Sequence, residues 1–402
     1  MVSLRLIGNW WRELREVKLS RNGQAAEAVT GRGADPALIT RRSRKILLPV
    51  LAAFVVVTGR AVAVSLRAQI ESVATSPPQF TWVSHGRLEG HLALNYSPAG
   101  AFSPDSSTLA AVIDDKVVLM NLGAADIRKV LRPRVEGVTE LRFQSANYVA
   151  PNRLFLLGNG LFRIKGKGAG GATPLLAFEW DTDQDALFGK VNTVGAGGGI
   201  GPPRYFPQIG YLAFYKESNF DLWQPMTGRG GRISLPSLSR QPNLFEFSPD
   251  GQWLLVAQIE ASSTPDPVVV AMREHQFVDS LRGHQGTVLS ISFARDSKRV
   301  VTACEDGKVR IWSVPDWKLL LTLTAHNGPV HWAEFSTDGS WVVSGGEDKT
   351  VRIWSSLDGS LTQTLEESRE PIRTVAFSPN GEYVAASSEQ IVLVWQRTFG
   401  GQ

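Results

Sequence analysis

His284 and Asp306 are residue types that together could do chemistry, and the same pair returns as His326 and Asp348. A histidine held by a carboxylate and facing a serine or threonine hydroxyl is the set that activates a nucleophile in hydrolases. Two further features could bind ligands. Gly166, Gly168 and Gly171 in GKGAGG have the Gly-x-Gly-x-x-Gly spacing of a dinucleotide phosphate loop. Residues 128–167 hold nine Lys/Arg against Glu136 and Glu140, a local net charge of +7. There Arg132, Arg134, Arg142, Arg153, Arg163, Lys165 and Lys167 would form a face for phosphate or another anionic ligand. The plainer reading is a solvated set of surface side chains.

Repetition decides the first question. Gly283-His284, Phe293, Asp306 and Trp312 are followed 42 residues later by Ala325-His326, Phe335, Asp348 and Trp354. EDGKVRIW at 305–312 matches EDKTVRIW at 347–354. A third copy places Phe377 42 residues after Phe335, with Trp395 one residue short of register. It has Ser368 where His would fall and Glu389 at the Asp position counted back from Trp395, so this unit should be stitched less tightly. A catalytic set occurs once; a set that recurs unit by unit is structural. The glycine motif also lacks its context, because Ala172-Thr173-Pro174 follows where a helix is required. It reads as an inter-strand loop, as does the run Gly195–Pro202, and no cofactor is expected. Six scattered histidines and the single Cys304 offer no zinc spacing, so no metal is expected either. Cys304, at the end of an apolar run, reads as a small buried thiol.

The repeats resemble the WD-repeat β-propeller family, in which each repeat forms one four-stranded blade. The likeness is specific over 281–397 and weaker over 80–280. It implies buried structural tetrads of His284, Thr302, Asp306 and Trp312, and of His326, Ser344, Asp348 and Trp354. In each, the Asp would orient the His, whose other nitrogen faces a hydroxyl that reaches the Trp N–H. Weaker units extend upstream, opened by Phe247-Ser248-Pro249-Asp250-Gly251 and by Ala101-Phe102-Ser103-Pro104-Asp105. The expected fold is all-β, a seven-bladed propeller with units at 95–136, 137–175, 176–235, 236–281, 282–323, 324–365 and 366–397. Leu88-Glu89-Gly90-His91 resembles Leu281-Arg282-Gly283-His284, so residues 80–88 could supply the outer strand that the last unit lacks. Closing the ring in this way protects its edges.

In similar propellers a partner sits beside the tetrad loops, which here implies Thr287, Leu289, Glu305, Pro329, His331, Glu347, Pro371 and Arg373. Such a ring holds its side chains in position before binding, which lowers the entropic cost of association.

The elements upstream are of another kind. Residues 1–70 hold twelve Lys/Arg and four Asp/Glu, while the remainder holds thirty and thirty-four. The basicity of the chain therefore belongs to a leader, and that charge distribution argues against nucleic-acid binding. Ile46–Leu66 is 21 residues long with one charge, Arg60, a length that crosses a bilayer as a helix. Arg41, Arg42, Arg44 and Lys45 flank it upstream, which places the N-terminus in the cytoplasm and the C-terminal portion across the membrane. A cleaved signal peptide is the alternative, with Ala61-Val62-Ala63 as its processing site. The organisation read from the chain is a basic leader at 1–45 with a short amphipathic helix, a transmembrane helix or signal-anchor at 46–66, a linker at 67–79 and the propeller at 80–397. The expected function is a non-catalytic, membrane-anchored scaffold for a protein or peptide partner. The alternatives are the sensor half of a bacterial signalling ATPase or kinase system and a propeller enzyme with a central-channel site.

Overall fold

A computed structural model describes residues 80–399, apart from 91–100, 163–174, 195–203, 225–229, 235–241, 258–265 and isolated positions between strands. Every regular element among the described residues is a β-strand. The turns explain why. Ser248 Oγ donates to Asp250 Oδ1 at 2.6 Å and accepts the Trp253 N–H at 2.9 Å. Ser103 with Asp105, Ser336 with Asp338 and Ser378 with Asn380 repeat the first bond at 2.6, 2.7 and 2.7 Å. Gly251, Gly339 and Gly381 complete these turns at φ of 70°, 67° and 71°, values that glycine adopts without strain. Each apolar run is thus folded back on itself by a short polar clasp.

The result is seven antiparallel sheets. After β1 (Phe80–Glu89), blade one holds β2 (Thr108–Ile113), β3 (Lys116–Asn121) and β4 (Asp126–Leu131). Blade two holds β5 (Val138–Ala150), β6 (Arg153–Phe162), β7 (Leu175–Asp181) and β8 (Ala186–Val194). Blade three holds β9 (Arg204–Phe206), β10 (Tyr211–Lys216), β11 (Asn219–Trp223) and β12 (Gly230–Ser234). Blade four holds β13 (Leu244–Phe247), β14 (Trp253–Ala257), β15 (Val268–Ala271) and β16 (Gln276–Ser280). Blade five runs through β17 (Val288–Phe293), β18 (Arg299–Cys304), β19 (Val309–Ser313) and β20 (Leu319–Leu323). Blade six runs through β21 (Val330–Phe335), β22 (Trp341–Gly346), β23 (Val351–Ser355) and β24 (Leu361–Leu365). Blade seven has β25 (Thr374–Phe377), β26 (Tyr383–Ser387) and β27 (Ile391–Phe399), with β1 as its outer strand.

The core of this ring is divided among its interfaces. Seven apolar clusters fill the seven spaces between adjacent blades. In β2, Leu109, Ala111 and Ile113 join the cluster shared with blade seven, while Ala110 and Val112 join the one shared with blade two. In β18, Val300 packs towards blade four and Val301 and Ala303 towards blade six. The two-residue period of a strand thus serves two neighbours at once. Each fully buried Val, Leu, Ile or Phe contributes about 1.5–3 kcal/mol, so the stability of a blade depends on having both neighbours in place.

Closure supplies the last interface. β1 pairs antiparallel with β27 from Phe80↔Phe399 to Glu89↔Ile391. Gln363 of blade six clasps the backbone of Trp82, accepting its N–H at 2.8 Å and donating to its carbonyl at 2.9 Å. On the opposite side, His85 Nε2 donates to the Leu122 carbonyl of blade one, and the Asn380 N–H reaches Ser106 Oγ at 3.0 Å. Blade seven is therefore tied to both neighbours by side chains as well as by packing.

One unit boundary needs correction. The expected division at 175/176 falls at the start of β7, which is the third strand of blade two. Blade two spans Val138–Val194 and blade three Arg204–Ser234. The glycine motif at 166–171 lies in the interval between β6 and β7 and outside the described residues, as do the leader and the span expected at 46–66. Among the described residues no helix is long and apolar enough to cross a membrane.

Candidate interaction face and axial channel

The tetrad residues come together in blade six. His326 Nδ1 donates to Asp348 at 3.0 Å, and its Nε2 accepts the Ser344 hydroxyl at 2.8 Å. Ser344 Oγ accepts the Trp354 indole N–H at 2.9 Å. This single direction of donation requires a neutral ring protonated at Nδ1. Burial lowers the His326 pKa, which favours that neutral form.

Blade five differs from expectation. His284 Nε2 faces Thr302 Oγ1 at 2.9 Å, and Trp312 Nε1 donates to the same oxygen at 3.1 Å. The acid on Nδ1, however, is Asp266 of the preceding blade, at 3.0 Å. Asp306 turns instead to Arg310 at 2.6 Å and to the Gln285 N–H at 3.1 Å. The nearly buried Arg310 guanidinium needs a counter-charge, and Asp306 supplies it.

Blade seven keeps only the tryptophan. Ala386 pairs with Leu393 as Ser344 pairs with Arg352, so the hydroxyl position is alanine. Ser368 bonds the Glu370 carbonyl. Trp395 Nε1 donates to Glu367 Oε1 at 2.9 Å, while Glu367 Oε2 accepts the Ser84 hydroxyl at 2.7 Å. One carboxylate thus replaces the tetrad and also fastens the closing strand.

The residues expected on the partner face lie beside these fasteners, in three copies 42 residues apart. Leu289 and His331 sit at bulges, where the register shifts between Val288 and Ser290 and between Val330 and Trp332. Bulges re-aim a side chain out of the strand alternation. Arg373 holds the corresponding place just before β25. Opposite them stand Glu305, Glu347 and Glu389. Glu305 accepts the Thr287 N–H at 3.0 Å, His331 Nε2 lies 2.7 Å from Glu347, and Arg373 lies 3.2 Å from Glu389. Arg373 also reaches His331 Nε2 at 2.8 Å. One ring nitrogen can donate to Glu347 or accept from Arg373, but not both at once. The His331 contact, with Arg373 behind it, holds the Glu347 carboxyl below its ordinary pKa. Glu389 belongs to this acidic series and not to the Asp306/Asp348 position, because the loop between β26 and β27 is one residue shorter. Pro329 and Pro371 are half-buried at the starts of their inner strands.

The basic stretch is partly neutralised by Glu140 within it and by acidic residues that follow it in the chain. Arg142 pairs with Glu140 at 2.8 Å and Arg153 with Glu179 at 3.7 Å. Arg128 and Lys129 face Asp183 and Asp185. Arg132 and Arg134 are exposed, while Arg163, Lys165 and Lys167 lie outside the described residues. Cys304 is buried and donates to the Gly286 carbonyl at 3.3 Å, and burial pushes its thiol up to about 11. Among the described residues no cluster of three or more His, Cys, Asp or Glu could hold a metal ion.

Sequence reasoning missed a second region. Residues of all seven blades surround an axial cavity of about 340 Å³ on the side of the Ser-Pro-Asp-Gly turns. Arg204, Glu246 and Glu334 line it, each no more than 8% exposed. Glu246 and Glu334 stand immediately before Phe247 and Phe335, the phenylalanine of each repeat, and this was the available signal. Asp266 and Glu367 carried none, since neither recurs.

The sequence profile of the family described as "WD domain, G-beta repeat" matches residues 275–313, 317–355 and 359–396. The chain is similar to the target of rapamycin complex subunit LST8 of Saccharomyces cerevisiae, 31% identical over 99 residues, or 23% of this chain and 29% of that protein. It is similar to the mouse U3 small nucleolar RNA-associated protein 18 homolog, 33% identical over 76 residues, 19% of this chain and 13% of the other. Periodic tryptophan protein 2 of Saccharomyces cerevisiae is 28% identical over 87 residues, 21% and 9% of the two chains. The matched segment therefore spans less than a third of each relative. Three WD repeats therefore run through blades five to seven of a seven-bladed β-propeller.

Proposed function

We propose that this protein is a non-catalytic interaction scaffold that presents the tetrad side of its propeller to a protein or peptide partner. The observation that carries this reading is the cluster of His331, Glu347, Arg373 and Glu389. These side chains bridge blades six and seven at the surface, remain at least partly exposed and belong to none of the apolar clusters between blades. The tetrad histidines beside them are buried and fully engaged in fastening, which argues for binding over catalysis. One relative is named as a subunit of a complex, in keeping with a role in an assembly. The basic, apolar character of 1–66 supports a single-pass anchor with the N-terminus in the cytoplasm and the propeller outside it. Signal cleavage would instead release the propeller.

Affinity capture from detergent-extracted membranes tests the face. His331→Ala and Arg373→Ala should each reduce recovery of the co-purifying partner roughly tenfold, as loss of a central contact does, with the melting temperature preserved. Unchanged recovery in the double variant removes this face from the reading. Retention of the propeller in carbonate-washed membranes, with the encoded N-terminus intact, tests the anchor. A mature N-terminus near Val64 would establish cleavage instead.

A further inference from the structure

We propose that the end of the axial channel opposite His331 binds an organic cation, an ammonium or guanidinium group, seated between Glu334, Glu246 and the Trp332 ring. This site shares no residue with the partner face. In β21, His331 stands near the start and Glu334 near the end, roughly 10 Å further along the strand. The two ends of the channel are therefore chemically separate.

The argument begins with charge. Arg204 NH1 lies 2.6 Å from Glu246 Oε2 and donates to the Phe245 carbonyl at 3.1 Å. The contact with Glu246 is out of line for a hydrogen bond, and Glu246 Oε2 and Arg204 Nε have no hydrogen-bond partner. Unsatisfied polar atoms at this depth are costly, and both side chains line the cavity. One guanidinium balances one carboxylate. Glu334 is the second carboxyl, and among the described residues no Lys or Arg forms an ion pair with it, Arg204 acting on it only at longer range.

Its surroundings show how the empty cavity stays neutral. Burial pushes the Glu334 carboxyl up to about 8, against the Phe377 amide and the nearby Trp332 indole, and Glu246 raises it further. The Trp332 N–H is misaligned and makes no directed hydrogen bond. The other titratable or charged groups facing this space are Arg204 and Tyr205 of β9, Glu246 of β13, Tyr148 of β5 and Arg295 after β17. At neutral pH, Glu334 therefore holds a proton. A guest cation would stabilise its carboxylate, release that proton to solvent and complete the charge balance with two cations against two carboxylates.

The walls suit such a guest. Arg204 already lies 5.2 Å from the Phe206 ring centroid and 5.7 Å from that of Trp332. These distances are within the range where a ring face attracts a cation. The volume is at the small end for ligand pockets, which run from about 300 Å³, and fits one side chain or a small amine. An anion would meet two buried carboxyls, with Arg204 held against Glu246 and the exposed Arg295 as the other cation on the lining.

Calorimetric titration of the detergent-extracted full chain tests the site, with methylguanidinium, butylamine and acetate each supplied up to about 10 mM. Running it at pH 7 in two buffers of different ionisation heat reads proton release. Both cations should bind with release of one proton or slightly more, from Glu334 and the protonated fraction of Glu246, falling away above pH 9, and acetate should not bind. Glu334→Gln should weaken cation binding roughly tenfold or more and remove most of the release. If that variant fails to fold, Ser292→Lys on the neighbouring inner strand, which fills the cavity with a tethered amine, should block binding. Acetylated, amidated tripeptides carrying Arg or Lys separate the sources. Tighter binding than the free cations assigns a basic side chain of a polypeptide, and equal or weaker binding assigns a free amine. Absence of cation binding, binding without proton release, binding of acetate in their place, or full binding by the folded Gln variant each overturns the proposal.

Discussion

Asp266 holds His284 across a blade boundary. Its Oδ1 accepts the imidazole Nδ1–H and the His284 backbone N–H at 3.0 Å each, and the Gly283 N–H at 3.1 Å. A single carboxylate before β15 in blade four thus satisfies three donors at the start of blade five. In blade six the same task falls to Asp348 within its own blade. Two copies of nearly identical sequence are therefore fastened differently, because Arg310 draws Asp306 away while Arg352 lies further from Asp348, at 3.3 Å.

Asp266→Ala should destabilise the ring by about 1–3 kcal/mol, the cost of leaving buried donors without an acceptor. A double-mutant cycle with His284→Ala isolates the link. Coupling should be large for Asp266 with His284 and small for Asp306 with His284, measured by urea unfolding. The reverse order would return the role to Asp306.

Glu367 joins Trp395 of β27 to Ser84 of β1. Glu367→Ala leaves the Trp395 N–H buried without an acceptor, a loss of about 1–3 kcal/mol, and it frees the closing strand on one side. Hydrogen exchange should therefore quicken across Trp82–Glu89 before it does in blades four to six. Uniform protection would mean that strand pairing and packing alone close the ring.

How far these features could be read from the chain depends on what repeats. The 42-residue spacing of His, Asp and Trp exposed blades five to seven, and the Ser-Pro-Asp turns at 103–105 and 248–250 exposed blades one and four. The resemblance between Leu88–His91 and Leu281–His284 pointed to closure. Blades two and three were divided wrongly because the glycine-rich interval at 163–174 imitates a boundary, whereas the true one falls in the glycine-rich interval at 195–203. Within blade two, Trp180 turns its N–H to Asp185 at 3.0 Å, without a tetrad. Asp266 was invisible because its partner lies in another repeat. Glu246 and Glu334 look like the polar face of a half-exposed strand, but on an innermost strand that face turns to the channel.

Burial lowers both tetrad histidines, His284 and His326, below their ordinary pKa of 6.5. As pH falls through 6.5, the unfolded chain takes up protons that the folded ring refuses, so these groups weaken folding from there downward. Burial also works to raise Asp306 and Asp348, but Arg310 and the Gln285 amide on one, and the Asn327 amide and His326 on the other, outweigh it and hold both at about 2. Their contribution is present above 3.8 and is lost as pH falls from there towards 2. Replacing His326 with Gln should flatten the decline in unfolding free energy below pH 6.5, by at most about 1.4 kcal/mol per pH unit. Parallel profiles for variant and parent would mean that His326 is charged in the fold.

The channel carboxyls act with the opposite sign. Glu246 and Glu334 are raised by burial from 4.5 to about 7 and about 8, with Arg204 pulling each down. The folded ring therefore binds protons that the unfolded chain has already lost, and its stability falls as pH rises from 4.5 through those values. Between 4.5 and 6.5 this slope opposes that of the histidines, so the difference between parent and variant reads each effect more cleanly than either profile alone. Glu334→Gln keeps the shape and removes the titration. Relative to the parent, it should become steadily more stable with rising pH, gaining on the order of a few kcal/mol by pH 9. Scanning calorimetry from pH 5 to 9 measures the gap. A constant gap would show Glu334 ionised throughout, with a counter-charge supplied from elsewhere in the channel.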